Sequence, residues 1–422
     1  MDRDSGRVMA QGWTHDVAVR AVIALGITQI VSWGTTLYSL GTLGKPIMAD
    51  TRWGAATVYG GLSLGLLVAA ALSKWIGRLI DERGGRVVMS LGSVVAALGL
   101  GLVAWSPSPA MYLAGWVVLG VGMRLTLYDA AFAALVQVTP SRGRRAISYL
   151  TLFGGLASSV FWPVADWLEP SYGWRGTLLI YAAINLVVCL PLHWFGLAQR
   201  ETLDAAAQAE ADAAQPAAYA AKPLEGRERR MGMILFSVVM AASAFVMGAM
   251  AAHLPSVIAG AGVTAVVATT LASLKGVAQT LSRLGDLVFG RNLHPITLGR
   301  ITIGVLPLAF ALWFFGGQGL AVALVFALLF GISNGLTTIV RGAVPLALFG
   351  PKGYGEVLGI LATPYLVLNA TAPMVFAVIM DRYGLSVATG VLLGASIAAV
   401  TAIEIMAAWY RGAQRAQAAA QG

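Results

Sequence analysis

Gly77-Arg78-Leu79-Ile80-Asp81-Glu82-Arg83-Gly84-Gly85-Arg86 is the stretch on which the fold turns. Five of its ten residues are charged, and it lies between two largely apolar runs, 55–79 and 87–105. Each run is long enough to cross a hydrocarbon layer of about 30 Å as a helix, where every backbone polar group must be satisfied internally. The charged stretch therefore reads as a water-facing turn between two membrane spans. Gly84 is placed to supply a positive φ there, and the arginines to hold the turn on one side of the bilayer.

The same pattern repeats along the chain. Twelve apolar runs are expected to span: 18–43, 55–79, 87–105, 109–138, 146–168, 176–197, 231–258, 264–290, 297–316, 320–348, 356–380 and 385–409. Turn signals separate them, as in Ser106-Pro107-Ser108-Pro109, Gly316-Gly317-Gln318-Gly319 and Gly350-Pro351-Lys352-Gly353. The composition agrees. Of 422 residues 58% are hydrophobic and only 11% charged, against about 25% charged in a soluble domain. The net charge of +9 is explained by arginine-rich loops between spans, without a nucleic-acid partner. A single cysteine, Cys189, excludes a disulfide framework, and four scattered histidines (His15, His193, His253, His294) give no metal-ligand spacing. No cleavable leader is expected before the first span.

Basic residues set the orientation. With a cytoplasmic N-terminus, only Lys45, Arg52, Arg175 and Arg382 of the 28 Lys and Arg fall outside. Arg124, Lys275, Arg283 and Arg341 fall within spans, and the other twenty lie at the inner face. Both termini are therefore expected in the cytoplasm, in a bacterial-type inner (plasma) membrane.

The one long polar segment, 198–230, divides the chain into halves of six spans, 1–197 and 231–422. The halves echo each other. Leu72-Ser73-Lys74 matches Leu281-Ser282-Arg283 at an offset of 209, and Gly120-Val121-Gly122-Met123-Arg124-Leu125-Thr126 matches Gly331-Ile332-Ser333-Asn334-Gly335-Leu336-Thr337 at an offset of 211. The expected architecture is an all-α polytopic membrane protein, twelve transmembrane helices in two pseudo-symmetric six-helix bundles, with a substrate site between them.

On these residues the chain resembles the major facilitator superfamily. The stretch 77–86 is similar to its signature G-x-x-x-D-(R/K)-x-G-(R/K)-(R/K), at the expected place between spans two and three, with Glu82 and Gly85 as departures. Gly173-Trp174-Arg175 before the sixth span is also similar to this superfamily. The resemblance implies that Gly77, Asp81, Arg83, Gly84 and Arg86 serve conformational switching and that no chemistry is done there. It further implies that Asp81 pairs with nearby arginines and faces the N-terminal end of the eleventh span, where a helix dipole favours an acid. Drug/proton antiporters of the superfamily carry paired glycines after a Gly-Pro in the fifth span. Here Trp162 precedes Pro163 and the paired glycines are absent, which disfavours that group.

Ionisable residues inside spans are functional candidates by default. Lys275, Gln279 and Arg283 recur at i, i+4 and i+8 on one face of the eighth span. Such a stripe faces water, protein or an anion; the bland alternative is an internal pair of Arg283 with Asp286. Oxalate–formate antiporters and monocarboxylate porters bind a carboxylate through an arginine in the eighth span, and Arg283 resembles it in span and depth. Their arginine is followed by proline where this chain has Leu284, and their acid precedes it where Asp286 follows. Arg124, with Tyr128 one turn further on the same face, either forks onto a carboxylate or phosphate or neutralises an acid on a neighbouring helix. Asp129 and Arg341 fall at matching places in the two halves, so they either pair as a gate or are satisfied within their own halves. Tyr38, Tyr365 and Asn369, with Thr28, Ser32, Thr35 and Ser39 of the first span, read as a polar cavity lining, or else as helix-packing residues. His253 and Glu404 lie near span ends and read as bland.

The basic excess among these residues points to a secondary transporter, expected as a monomer, for a small organic anion, coupled to protons through Asp129 or Asp286 or to a counter-anion. Efflux of a lipophilic or cationic drug is the alternative, and a transporter-like receptor is less favoured. No Walker sequence, metal cluster or nucleophile elbow occurs, so neither an enzyme nor a cofactor is expected.

Overall fold

The computed structural model describes residues 16–201, 223–290 and 293–419. All regular structure among them is helical. The polar linker 198–230 lies for the most part outside the described residues, as does His15. Two compact units are resolved, one of residues up to 201 together with Pro351–Ile360, the other of 223–350 and the chain from Leu361 onward.

The helices are numbered by span. The first unit holds α1 (Val17–Thr51), α2 (Ala55–Arg83), α3 (Gly85–Ala104), α4 (Pro109–Val138), α5 (143–172) and α6 (174–196). The remaining chain forms α7 (Gly226–Ala259), α8 (Ala265–Phe289), α9 (Pro295–Phe315), α10 (Leu320–Phe349), α11 (354–383) and α12 (385–419). The first turns of α11 belong by packing to the first unit. By length and hydropathy nine helices among the described residues are able to cross a membrane. Two of the nine run on through a reversal, α5 into α6 at Gly173 (φ 65°) and α11 into α12 at Gly384 (φ 83°). Both glycines follow a tyrosine, and they stand 211 residues apart, the offset of the sequence repeat. A φ in this range is open to glycine and strained for other residues, which explains why the turn sits on it. Only α8 falls outside the apolar nine, because its Ser, Thr, Lys, Arg and Asp lower its hydropathy.

Lipid-facing surface is recognised by large apolar side chains left open, among them Trp105 (78% exposed) and Phe315 (84%). In a water-soluble protein such exposure would be a liability. Polar residues turn inward. Thr28, Thr35 and Ser39 are buried and bond back to the carbonyls of Leu25, Val31 and Thr36, while Ser32 is buried beside them. The hydroxyl face of α1 thus enters helix packing, with Asn185 of α6 donating to Thr35 Oγ1 at 3.0 Å, and is not a cavity lining.

Hydroxyls that compete for helix carbonyls bend helices, and α1 breaks where they cluster, at 36–38, between Val17–Thr35 and Ser39–Thr51. A second break divides α4 at Leu127 (ψ −175°), between Pro109–Thr126 and Tyr128–Val138. The repeated glycines mark close helix crossings. A Cβ on Gly120 would meet Gly65 O of α2 at 2.4 Å, and one on Gly331 would meet Lys275 O of α8 at 2.6 Å. The sequence repeat is therefore a repeat of backbone-on-backbone contacts, α4 on α2 and α10 on α8.

Candidate functional site

The charged turn comes first in the chain. Gly84 closes α2 at φ 83° as expected. Asp81 accepts the backbone N–H of Gly355 at 2.9 Å and of Glu356 at 2.7 Å. These are orphan donors in the first turn of α11, and a carboxylate there satisfies them and complements the helix dipole. Gly77 lies so close that a Cβ would sit 2.0 Å from Gly355 O. Asp81 faces the N-terminal end of α11, as the signature implied; the expected pairing with arginines is corrected, since Arg78 bonds Glu82 at 2.8 Å, four residues along the same exposed face. The Gly173-Trp174-Arg175 stretch has a similar local use. Asp50 at the end of α1 accepts the Trp174 indole N–H at 3.0 Å and a bond from Arg175.

In α4, Arg124 is 4% exposed. Its Nε donates to Ser73 Oγ at 2.8 Å and its Nη2 to Ser73 O at 3.3 Å, both on α2. Its Nη1 lies 3.7 Å from Asp129 Oδ2, across the break at Leu127. Asp129 is 6% exposed. The break also corrects the shared face expected of Arg124 and Tyr128. Arg124 reaches α2, whereas the Tyr128 hydroxyl donates to Thr151 O of α5 at 3.3 Å. The acid beside Arg124 belongs to its own span, where the expectation was an acid on a neighbouring helix.

In α8 the expected stripe is regular, and every member of it reaches α10. Lys275 Nζ lies 5.6 Å from the centre of the Phe330 ring. Gln279 Oε1 accepts from Asn334 Nδ2 at 3.2 Å. Arg283 Nε donates to Gly335 O at 3.2 Å, and its side chain is 1% exposed. Phe330 and Asn334 were not singled out from the sequence; their i, i+4 spacing facing Lys275 and Gln279 is the signal that could have found them. Asp286 is 7% exposed and borders an apolar cavity of about 520 Å³ lined by α8, α9 and α10, with Leu281, Phe289, Leu298, Ile301 and Leu336 in its wall.

The two buried arginines are related. Arg124 meets Ser73, and the repeat equivalents of these two positions are Gly335 and Ser282. Arg283 meets Gly335. Each half thus clamps the same helix pair with one arginine, from α4 to α2 in the first and from α8 to α10 in the second. Gly335, with no side chain, leaves its carbonyl open to Arg283. A Cβ there would lie 2.3 Å from Ser282 Oγ.

Arg341 of α10 stacks on Tyr365 of α11, guanidinium carbon 4.1 Å from the ring centre. Such a stack holds the charge while leaving a guanidinium able to donate in its plane. Asn369, one turn on, is half-buried, and its carbonyl closes on Gly248 of α7, where a Cβ would be 2.5 Å away. Tyr38 is half-buried beside Trp33 and Trp162. His253 bonds Pro373 O at 3.1 Å, and Glu404 takes both Nε and Nη2 of Arg300 at 2.6 and 2.7 Å. Among the described residues no group of His, Cys, Asp and Glu is arranged to hold a metal.

Comparison with known proteins bears on the family and the fold. The chain is 30% identical over 151 residues to monocarboxylate transporter 13 of Rattus norvegicus, covering 36% of this chain and 35% of that one. It is 29% identical over 176 residues to monocarboxylate transporter 11 of Mus musculus, 42% and 38% of the two chains. The alignments thus span little more than a third of those relatives' length. Among solved structures, the human organic anion transporter MFSD10 has a TM-score of 0.70 at 16% identity, covering 92% of this chain and 99% of that one. The outward-facing FucP, another transporter of the same superfamily, has 0.67 at 12%, covering 92% and 99%. At such identities the likeness shows the fold. The profile of the Major Facilitator Superfamily matches residues 25–363. This chain is a multi-pass membrane protein and belongs to the Major Facilitator Superfamily.

Proposed function

We propose that the protein is a secondary transporter of small organic anions of the carboxylate type, working by alternating access. One observation carries the reading: α8 and α10 together hold three cations, Lys275, Arg283 and Arg341, against one carboxylate, Asp286. Cations are costly in a membrane span, and an excess of them is retained where an anion is handled. The kinship with monocarboxylate transporters supports the same substrate class. In this reading Arg283 is the main anion contact, Lys275 adds a second positive charge, and Gln279 lies between them. Arg341, Tyr38, Tyr365 and Asn369 offer further donors. Arg124 positions α4 through Ser73 and Asp129. A gate role for Asp129 and Arg341 belongs to the same proposal, although each has a partner inside its own half, Arg124 and Tyr365.

The test is transport by the purified protein in liposomes, using a panel of radiolabelled organic acids with and without a pH gradient. Accumulation of at least one acid above protein-free liposomes is expected. Stimulation by the gradient would identify protons as the coupling ion; trans-stimulation by unlabelled acid would identify exchange. Export of a lipophilic or cationic compound is the second reading, favoured by the apolar cavity beside Asp286. Movement of such a compound with no acid transported would establish it.

The inner-membrane orientation, with both termini cytoplasmic, is proposed on the distribution of Lys and Arg. The one native cysteine, Cys189, is buried, so introduced cysteines report cleanly. A membrane-impermeant maleimide added outside intact cells is expected to label Ser108→Cys and Gln318→Cys and to spare Ala213→Cys. The opposite pattern reverses the orientation.

A further inference from the structure

The N-terminal half has a feature that the cations of α8 and α10 leave unexplained. α1 and α4 both break near mid-length, at 36–38 and at Leu127. In transporters, discontinuous helices near the bilayer midplane are where ligands meet the protein. Here the two breaks are tied together. Gln29 Nε2 donates to Thr126 O at 2.7 Å, taking a carbonyl next to the α4 break, and its Oε1 accepts the Trp33 indole N–H at 3.1 Å. The Trp33 ring lies 5.0 Å from Tyr128, the residue that follows the α4 break. Tyr38, which follows the α1 break, is 6.0 Å from Trp33 and meets Trp162 of α5 edge-on, at 6.4 Å and 83°.

Several other aromatic side chains of this half fall into two groups. Tyr112, Trp116, Phe132, Phe161 and Tyr181 are buried and pack helices together. Trp105, Trp167 and Tyr172 are exposed near helix ends, as residues of an interfacial belt are. Trp33, Tyr38 and Trp162 fit neither group. They lie well inside their spans, Tyr38 meets both tryptophans, and they stay half-buried or, for Trp162, 46% exposed. Buried Tyr128 forms the floor beneath Trp33. Indole and phenol rings at these tilts present both a face and an edge to an incoming ring, the arrangements that aromatic pairs favour.

We infer that the transported acid carries an aromatic ring, and that Trp33, Tyr38 and Trp162 form the surface that receives it. This rests on the carboxylate reading above and narrows it from small organic acids to aromatic ones.

The purified full-length protein in nanodiscs, titrated calorimetrically with benzoate, phenylacetate, acetate and lactate, tests the inference, with benzyl alcohol as the uncharged counterpart. Benzoate or phenylacetate is expected to bind at least about tenfold more tightly than acetate or lactate, and benzyl alcohol weakly. Trp162→Leu, at a half-open position, is expected to lower that preference to about twofold or less while acetate binding persists. Trp33→Leu should do the same, and Trp162→Leu serves alone if the loss of the Gln29 contact impairs folding. Equal binding of acetate and phenylacetate, or a preference untouched by Trp162→Leu, overturns the inference and leaves the carboxylate reading standing. Benzyl alcohol binding as tightly as phenylacetate, with the preference still dependent on Trp162, overturns the carboxylate reading and leaves the aromatic surface. Binding of none of the five overturns both.

Discussion

Arg283→Lys is expected to keep the protein folded and in the membrane while weakening carboxylate binding roughly ten- to a hundredfold. The arginine Nε is committed to Gly335 O at 3.2 Å, which fixes the plane of the guanidinium. A guanidinium so fixed presents a fork to a carboxylate, two parallel hydrogen bonds that an ammonium cannot reproduce. Losing one charged hydrogen bond is worth about 1.5–3 kcal/mol, which sets the size of the effect. The charge itself is retained, and the Gly335 carbonyl can accept from lysine, so the clamp between α8 and α10 should survive. Calorimetric affinity for the best-bound acid, read beside a melting curve, separates the possibilities. Wild-type affinity in a well-folded variant would end the case for Arg283 as the anchor. Loss of expression with affinity intact in the surviving protein would assign the residue to structure alone.

Asp129→Ala should be strongly destabilising, by about 3–5 kcal/mol. The aspartate lies 3.7 Å from Arg124, and both are almost wholly buried. Removing one member of such a pair leaves a guanidinium with its Ser73 bonds but without its nearby countercharge. Asp129→Asn keeps the shape and an acceptor oxygen and should cost less. The double variant Arg124→Met with Asp129→Leu should be more stable than Asp129→Ala, since an apolar pair of similar volume carries no desolvation penalty. Unfolding in detergent, followed for the singles and the double, gives the coupling between the two positions. Strictly additive effects would show that the two charges do not act as a pair.

The candidate site was legible from sequence to an uneven degree. The stripe Lys275, Gln279, Arg283 could be read directly, because a helix of regular pitch places every fourth residue on one face. What faces it could not, since Phe330, Asn334 and Gly335 lie some fifty residues away and are ordinary members of an apolar span. Arg124 illustrates the opposite failure. It lies midway along α4 as expected, but Tyr128, its neighbour in sequence, reaches a different helix, because α4 breaks at a leucine. No glycine or proline marks that position. The carbonyl of Thr126 is instead taken by Gln29 of another helix, and no reading of 109–138 alone contains that bond.

What the amino-acid sequence determined by itself were the features that lipid imposes locally: the apolar helices, the polar turns between them and the echo between the two halves. Each follows from about twenty consecutive residues meeting hydrocarbon, so each survives reading in one dimension. Tertiary structure decided the partners of the buried charges. Asp81 faces the start of α11 as its signature implied, yet its bonds go to the N–H groups of Gly355 and Glu356 and not to the arginines beside it. Ser73 of α2 and Gly335 of α10, which are not repeat equivalents of each other, receive the two buried arginines from opposite sides of equivalent helix pairs. Inside a membrane a charge is stabilised by whichever polar group packing brings within reach, and that is set by how helices cross, which no single span encodes.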